Sequence, residues 1–176
     1  IEDTHTYALV NGSGGDNNNS FTLSGDQLIL MDPLDYESKV NYSIRVSTTD
    51  SKGLSHEQVL SLVVSDQNEA PTDLQFTSSD LSADSAFDEN INSGTLVGTF
   101  SASDPDQGDS FTYSLIAGEG NWDNTFFSIN ANQLTINHSP DFESKSNYRI
   151  RVRAVDSAGL SFEKRLELAV GDRHEV

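Results

Sequence analysis

Apolar and polar side chains alternate along much of the chain, and this alternation predicts β-strands. Every second residue is apolar in residues 42–46 and 148–152, and again in 60–64 and 166–170. A period of two is typical of a strand with one buried face. Clusters of glycine, asparagine, aspartate and serine, such as residues 11–19, separate these runs, and no window has a helical period. The pattern predicts an all-β protein.

The strand pattern is part of a tandem repeat whose copies are offset by 106 positions, the difference between Asp141 and Asp35. Residues 35–39, with the sequence DYESK, correspond to residues 141–145, with the sequence DFESK. Other segments correspond at the same offset. Because the offset stays constant, the copies align without a gap, which identifies a true internal repeat.

The two copies predict two domains, residues 1–70 and residues 71–176. Short, evenly spaced strands in units of this length favour tandem Greek-key β-sandwiches of the immunoglobulin-like kind. The first copy has no counterpart of residues 71–106, so we expect it to lack its opening strands and to expose unpaired edges. It would be completed by a strand from elsewhere, for example by strand exchange with another copy, or be poorly ordered. The predicted core of the second domain is Tyr113, Leu115, Phe127, Leu134, Tyr148, Ile150, Val152, Leu166 and Leu168.

The net charge of the chain limits the classes of partner that it can bind. Of its 176 residues, 28 are acidic and 10 are basic, which gives a formal net charge of −18. Nucleic acid and anionic membranes require a basic surface, so the sequence argues against both as partners. The absence of cysteine excludes disulfides and thiolate chemistry.

Targeting and catalytic signals are not found in the sequence. Residues 1–4 do not resemble a signal peptide, so we expect any targeting segment to lie elsewhere or to have been removed. No apolar run is long enough to cross a bilayer. The histidines have no metal-ligand spacing, and no catalytic motif is recognisable, so the sequence predicts a protein that is not an enzyme.

Acidic residues cluster at a few repeated positions. The linker between the copies, residues 66–71, reads DQNEAP, and residues 104–106 read DPD. Calcium takes six to eight oxygen ligands from carboxylates, amides and backbone carbonyls, and these positions offer that mixture. Without a cation, such a cluster would suffer like-charge repulsion, which raises carboxylate pKa values. The alternative is that residues 104–108 form an ordinary turn.

The order and spacing of the acidic motifs resemble the calcium motifs of cadherin repeats, in the form found in large bacterial surface and haemolysin-type proteins. The motifs are residues 89–90, 104–106, 141–143, 152–156 and 66–71. The resemblance implies a calcium site at the junction of the copies, with ligands from Asp35, Glu37, Gln67, Asn68, Glu69, Ala70, Asp104, Asp106 and Asp156. It also implies a half-site at the far end of the second copy, awaiting a further repeat, with ligands from Glu89, Asp141, Glu143, Asp172 and Glu175.

The same resemblance implies a segment of an extracellular adhesion or surface protein, secreted or membrane-associated and bacterial in origin, whose repeats are made rigid by calcium. The expected partners are neighbouring repeats of the same parent chain and a homophilic or other cell-surface protein contact. Two alternatives stay open. One is a carbohydrate-binding module of a polysaccharide-active protein, in which Trp122 would stack on a sugar ring; the other is a passive spacer.

Overall fold

A computed structural model describes residues 4–79 and 86–174 of the chain. Within these residues the regular structure is β-strand, apart from two single-turn 3-10 helices at Asn18–Ser20 and Asn124–Phe126. The chain divides into two compact units, Ile1–Gln67 and Asn68–Val176. No helix in the described ranges has the length and apolar character that a membrane crossing needs.

The first unit holds five strands among its described residues: β1 (His5–Leu9), β2 (Phe21–Ser24), β3 (Gln27–Leu30), β4 (Asn41–Asp50) and β5 (Ser55–Val63). One antiparallel sheet has the order β1-β4-β5, and β2 and β3 form a separate hairpin. Tyr42 pairs with Leu62 and Ile44 with Leu60 across β4 and β5, as the alternation in this stretch predicts. The core is small, because Ile44 and Phe21 are the buried hydrophobic residues in this described part.

The second unit is a β-sandwich of two four-stranded sheets. Its strands are β6 (Asp73–Ser78), β7 (Phe87–Asp88), β8 (Leu96–Ser103), β9 (Thr112–Leu115), β10 (Phe127–Asn130), β11 (Gln133–Ile136), β12 (Asn147–Val155) and β13 (Ser161–Gly171). The sheet orders are β10-β11-β8-β6 and β7-β13-β12-β9. The pairing of β13 with β7 is parallel, and the other pairings are antiparallel. This architecture confirms the predicted fold class.

The core of the second unit lies between the two sheets. In β12, Tyr148, Ile150, Val152 and Ala154 are at most 2% exposed, because alternate residues of a strand point to the facing sheet. Fully burying a side chain such as Ile150 contributes roughly 1.5–3 kcal/mol. The predicted core residues are all buried in this cluster or packed against it. The buried members of the cluster outside β12 are Leu74, Phe87, Val97, Phe100, Phe127, Leu134, Ile136, Leu168 and Val170.

Strand ends deliver the acidic motifs to one end of this sandwich. β8 ends at Ser103, immediately before Asp104, and β12 ends at Val155, immediately before Asp156. Asp73, near the start of the second unit, pairs with Ser103, so the linker enters at the same end. Residues that are distant in sequence are therefore neighbours there.

Candidate metal centre

Three aspartates converge at the end of the second unit where the linker enters. Carboxylate oxygens of Asp104, Asp109 and Asp156 lie within 4.8 Å of one another. Asp156 is only 6% exposed, and Asp104 and Asp109 are half-buried. These ligands are all carboxylate oxygens, the type that hard cations such as calcium prefer.

Local turns hold two of these carboxylates in place. The backbone N–H groups of Gly159 and Leu160 donate to Oδ1 of Asp156 at 2.6 and 2.8 Å, which closes the turn between β12 and β13. Gly159 has a φ of +96°, a left-handed conformation that glycine adopts without strain. The N–H of Asp106 donates to Oδ1 of Asp104 at 3.1 Å. Asp104 and Asp156 thus each use one carboxylate oxygen to fix the conformation of their own loop.

Two oxygens of the cluster have no hydrogen-bond donor. Oδ2 of Asp104 and Oδ2 of Asp109 are buried and accept no hydrogen bond from the part of the chain that the structure describes. A buried carboxylate oxygen without a donor is costly to keep ionised. A divalent cation bound between these oxygens would remove that cost, so the geometry fits a cation.

The protonation equilibria of the cluster differ from residue to residue. Burial raises the pKa of the Asp104 carboxyl, and the negative charges of Asp106, Asp109 and Asp156 raise it further. For Asp156, burial acts in the same direction, but hydrogen bonds from the Asn68 side chain and from the backbone of its own turn outweigh it and lower the pKa. The unfavourable effect of the crowded negative charge therefore falls on Asp104.

The linker residues Asn68 and Glu69 are tied to this cluster. Nδ2 of Asn68 donates to Oδ2 of Asp156 at 2.9 Å and to the carbonyl oxygen of Glu69 at 2.8 Å. The N–H of Glu69 donates to Oδ2 of Asp106 at 2.8 Å, and carboxylate oxygens of these two residues lie within 4.8 Å. Five predicted ligands, the four named here and Asp104, are thus brought together within the second unit.

The predicted ligands Asp35 and Glu37 lie in the first unit. The exposed Asp35 carboxylate accepts hydrogen bonds from the Oγ of Ser38 at 2.6 Å and from the N–H of Glu37 at 3.0 Å. These bonds, that from Ser38 first, lower the pKa of Asp35. The Glu37 carboxylate approaches that of Asp66 within 4.8 Å. Asp35 thus stabilises its own turn, while Glu37 presents a ligand oxygen beside a second carboxylate.

Sequence reasoning missed Asp109 and Asp66 as candidate ligands. The signal was available for Asp109, because it is the third acid within the short loop 104–109, directly after β8. Asp66 opens the acidic linker. Of the predicted backbone-carbonyl ligands, Gln67 is exposed and Ala70 is half-buried; their role stays a prediction.

A second acidic cluster lies at the opposite end of the second unit, where the parallel strands β7 and β13 end. Ligand oxygens of Glu89, Glu143 and Asp172 lie within 4.8 Å of one another. Glu89 is only 2% exposed. Its carboxylate accepts hydrogen bonds from the backbone N–H groups of Phe142 and Arg173 at 2.9 and 2.7 Å. The structure thus brings three residues of the predicted half-site together.

The other two residues of the half-site are placed differently. Asp141 is exposed, and its carboxylate accepts hydrogen bonds from the Oγ and N–H of Ser144 at 2.7 and 3.1 Å, which lower its pKa. This turn repeats that of Asp35 in the first copy, and it uses Asp141 locally. Glu175 lies outside the described residues.

Trp122 lies apart from both clusters. Its side chain is 65% exposed, and the guanidinium carbon of Arg149 lies 5.3 Å from its ring centroid. The ring borders a surface pocket of about 250 Å³ whose lining includes Glu119 and Arg165. This cation–π contact with Arg149 of the same domain helps to fix the position of the exposed Trp122 ring.

Comparisons with known proteins relate this β-sandwich to the cadherin domain. Residues 84–170 match the family model of the cadherin domain. Cadherin-18 of Bos taurus is 31% identical over 169 residues, which cover 86% of this chain and 20% of the relative. Protocadherin gamma-A1 of Homo sapiens is 30% identical over 144 residues, covering 80% of this chain and 15% of the relative. The chain thus spans a fifth or less of each of these two proteins.

Solved structures show the same fold. The crystal structure of human Protocadherin-24 EC1-2 in its Form II superposes with a TM-score of 0.68 at 22% identity, covering 97% of this chain and 83% of that one. Protocadherin Gamma B2 extracellular cadherin domains 3-6 give a TM-score of 0.61 at 22% identity, covering 96% of this chain and 40% of that one. The fold is therefore the cadherin β-sandwich.

Proposed function

We propose that this chain is a calcium-binding segment of a tandem-repeat adhesion or surface protein that acts outside the cell. The observation that carries the proposal is the pair of buried, donor-free carboxylate oxygens on Asp104 and Asp109 beside Asp156. A cation of charge +2 would neutralise this group, and carboxylate and amide oxygens are typical calcium ligands. The role proposed is binding, not catalysis.

The proposed ligand set extends beyond this cluster. Within the second unit, Asn68, Glu69 and Asp106 lie beside it and supply further oxygens. The order of the sequence motifs adds Asp35 and Glu37 and the carbonyls of Gln67 and Ala70 to the proposal.

Calcium bound at the linker would restrict the motion of one repeat against the next. Linker carboxylates repel one another in the absence of a cation, and a shared cation replaces repulsion with attraction to one centre. The expected consequence is a flexible pair of repeats that becomes rigid on binding calcium.

Small-angle X-ray scattering in calcium and then in EDTA tests this consequence. We expect a longer, narrower distribution of interatomic distances in calcium, reversed by EDTA. A variant carrying Glu37→Ala and Asp104→Ala should give the EDTA profile in both buffers while its circular dichroism stays that of a β-protein. An identical profile in both buffers, with no bound metal, would overturn the proposal.

The far-end cluster of Glu89, Glu143 and Asp172 supports the second part of the proposal, a half-site for a following repeat. The proposed partners are accordingly neighbouring repeats of the parent chain, together with a homophilic or other cell-surface contact. A bacterial origin stays a prediction from the sequence, and the relatives named above are mammalian.

A second candidate function, carbohydrate binding, is favoured by one observation. Trp122 is exposed and borders a pocket that also presents charged side chains, and an aromatic ring with planar polar groups is suited to a sugar. A glycan array should then show binding that Trp122→Ala abolishes. The matched control is Leu160→Ala, which removes another exposed apolar side chain. Equal glycan binding by both variants would count against this function.

A further inference from the structure

The second unit packs a histidine ring against two aromatic side chains. His138 follows β11, and the centroid of its ring lies 4.6 Å from that of Phe126 and 5.6 Å from that of Tyr148. At the offset of 106 positions, the counterparts of His138 and Phe126 in the first repeat are Asp32 and Ser20. The fold of the repeat therefore does not require a histidine at this position.

The two nitrogens of the His138 ring have different surroundings. Nε2 lies 2.8 Å from the hydroxyl oxygen of Tyr148, a residue that is 2% exposed. Nδ1 is buried and has no hydrogen-bond partner in the part of the chain that the structure describes. A neutral imidazole has a single N–H, so a ring with its proton on Nε2 donates to Tyr148 and leaves no buried N–H without an acceptor. The surroundings therefore suit the neutral ring.

Protonation of His138 would disturb this arrangement. The imidazolium ion has an N–H on both nitrogens, so a buried N–H at Nδ1 would have no acceptor and a positive charge would be poorly hydrated. Burial accordingly lowers the pKa of His138. Because the folded ring binds a proton less readily than the unfolded chain, stability is unaffected well above pH 6.5 and is lost as the pH falls through about 6.5.

The charged groups around this site do not offer the ring an acceptor. Lys145 lies with its Nζ 5.3 Å from the centroid of the Tyr148 ring and 3.0 Å from the carboxylate of the buried Asp123. Burial raises the pKa of the Tyr148 hydroxyl, and the negative charges of Asp123 and Asp141 raise it further. In the described residues neither carboxylate accepts a hydrogen bond from His138. A proton on Nδ1 would therefore stay unpaired.

The histidine begins a short segment, residues 138–142, which we call the strap. The carbonyl oxygen of Pro140, a fully buried residue, accepts a hydrogen bond from the N–H of Asn90 at 2.9 Å. The N–H of Phe142 donates to Oε2 of Glu89, also at 2.9 Å. The contact between the histidine and the tyrosine of β12 fixes the start of the strap, and these two bonds fix the rest of it.

We infer that His138 is a pH-sensitive switch in the second unit: protonation of its ring, as the pH falls through about 6.5, releases the strap from β12 and opens it locally. The charged ring would leave its aromatic neighbours because water hydrates the charge and the folded position does not. The first unit has an aspartate at the equivalent position and lacks this switch. The inference does not depend on the calcium function.

The titration of the ring itself is the first measurement. Nuclear magnetic resonance follows the ring C–H signals of the histidines against pH in calcium-free buffer, and the signal that disappears in His138→Gln belongs to His138. We expect this signal to titrate below the ordinary value of about 6.5. A midpoint at or above that value would overturn the inference.

Thermal stability is the second measurement. Glutamine in His138→Gln stays polar but does not titrate, and His56→Gln removes an exposed histidine of β5 as the matched control. Between about pH 7 and pH 5, the unsubstituted protein should lose more melting temperature than His138→Gln does, because only the former has the ring that protonation expels. His56→Gln should behave as the unsubstituted protein. Parallel curves for the unsubstituted protein and His138→Gln would overturn the inference.

Hydrogen exchange identifies the element that opens. At about pH 5.5, below the ordinary pKa of histidine, the amides of Asn90 and Phe142 should exchange faster in the unsubstituted protein than in His138→Gln. At about pH 7.5, above that pKa, the two proteins should exchange alike. The amide of Ile150, in the core strand β12, should exchange alike in both proteins at both pH values. Equal exchange of the Asn90 and Phe142 amides at the lower pH would overturn the strap as the element that opens.

Discussion

Replacing Asp104 with asparagine should stabilise the calcium-free protein and weaken its response to calcium. Asparagine keeps the Oδ1 acceptor that the N–H of Asp106 uses at 3.1 Å. Its amide takes the place of the donor-free Oδ2 and can donate to the donor-free Oδ2 of Asp109. The substitution therefore removes a negative charge and satisfies a buried acceptor, but it also removes an anionic calcium ligand.

The calcium-free effect can be estimated from charge. Two unit charges 4.8 Å apart, the upper limit between Asp104 and Asp109, repel by about 3.5 kcal/mol at an effective dielectric constant of 20. Because both residues are only half-buried, solvent screens much of this repulsion, and we expect Asp104→Asn to raise the free energy of unfolding by about 1 kcal/mol. In a unit of this size, that gain raises the melting temperature by about 4–8 °C.

The calcium effect follows from linkage. With a Kd of about 10⁻⁴ M, as in extracellular calcium modules, 10 mM calcium would stabilise the folded state by about 2.7 kcal/mol. A tenfold loss of affinity in Asp104→Asn would reduce this gain to about 1.4 kcal/mol.

Differential scanning calorimetry in EDTA and in 10 mM calcium measures both effects. Asp26→Asn removes the same charge from an exposed position outside the clusters and serves as the control, with little change expected in either buffer. A lower melting temperature of Asp104→Asn in EDTA, together with a full calcium response, would refute the reasoning.

Three further outcomes are expected. Glu89→Gln should lower the free energy of unfolding by about 1–3 kcal/mol, measured by urea denaturation. The glutamine amide nitrogen would face a backbone N–H that now donates a hydrogen bond to the buried carboxylate. An unchanged free energy of unfolding would contradict this. Folding raises the pKa of the Asp104 carboxyl, so ionisation of this carboxyl destabilises the calcium-free protein as pH rises. Asp104→Asn has no such carboxyl, and its advantage in melting temperature over the unsubstituted protein should therefore widen from about pH 4 to pH 7. An advantage that stays constant over this range would refute the prediction. Leu134→Ala should cost about 2–5 kcal/mol and Leu28→Ala clearly less, because Leu134 is 0% exposed and Leu28 is 38% exposed; equal losses would contradict this.

The fold could be predicted from the sequence to the level of the two-sheet sandwich. Strict alternation in residues 148–152 identifies β12 and its buried face, because a strand has a side-chain period of two. The short strand β7 escapes this kind of reasoning, since two residues carry no period. Its parallel pairing with β13 depends on tertiary contacts.

The candidate site was partly readable from sequence. Asp104, Asp106 and Asp156 follow strands, so their convergence could be predicted from motif order. The local use of Asp35 and Asp141 could not, because it depends on hydroxyl donors three residues further on, Ser38 and Ser144. Such serine contacts compete for a carboxylate in a way that spacing alone does not reveal.

Isothermal titration calorimetry with calcium on the 1–176 chain tests the central claim most directly. We predict saturable binding with a Kd of about 10⁻⁵ to 10⁻³ M, lost in large part in a variant with Asp104→Asn and Asp156→Asn whose circular dichroism is unchanged. A folded protein that gives no saturable heat up to about 10 mM calcium, a concentration well above the Kd expected of such modules, would contradict the account.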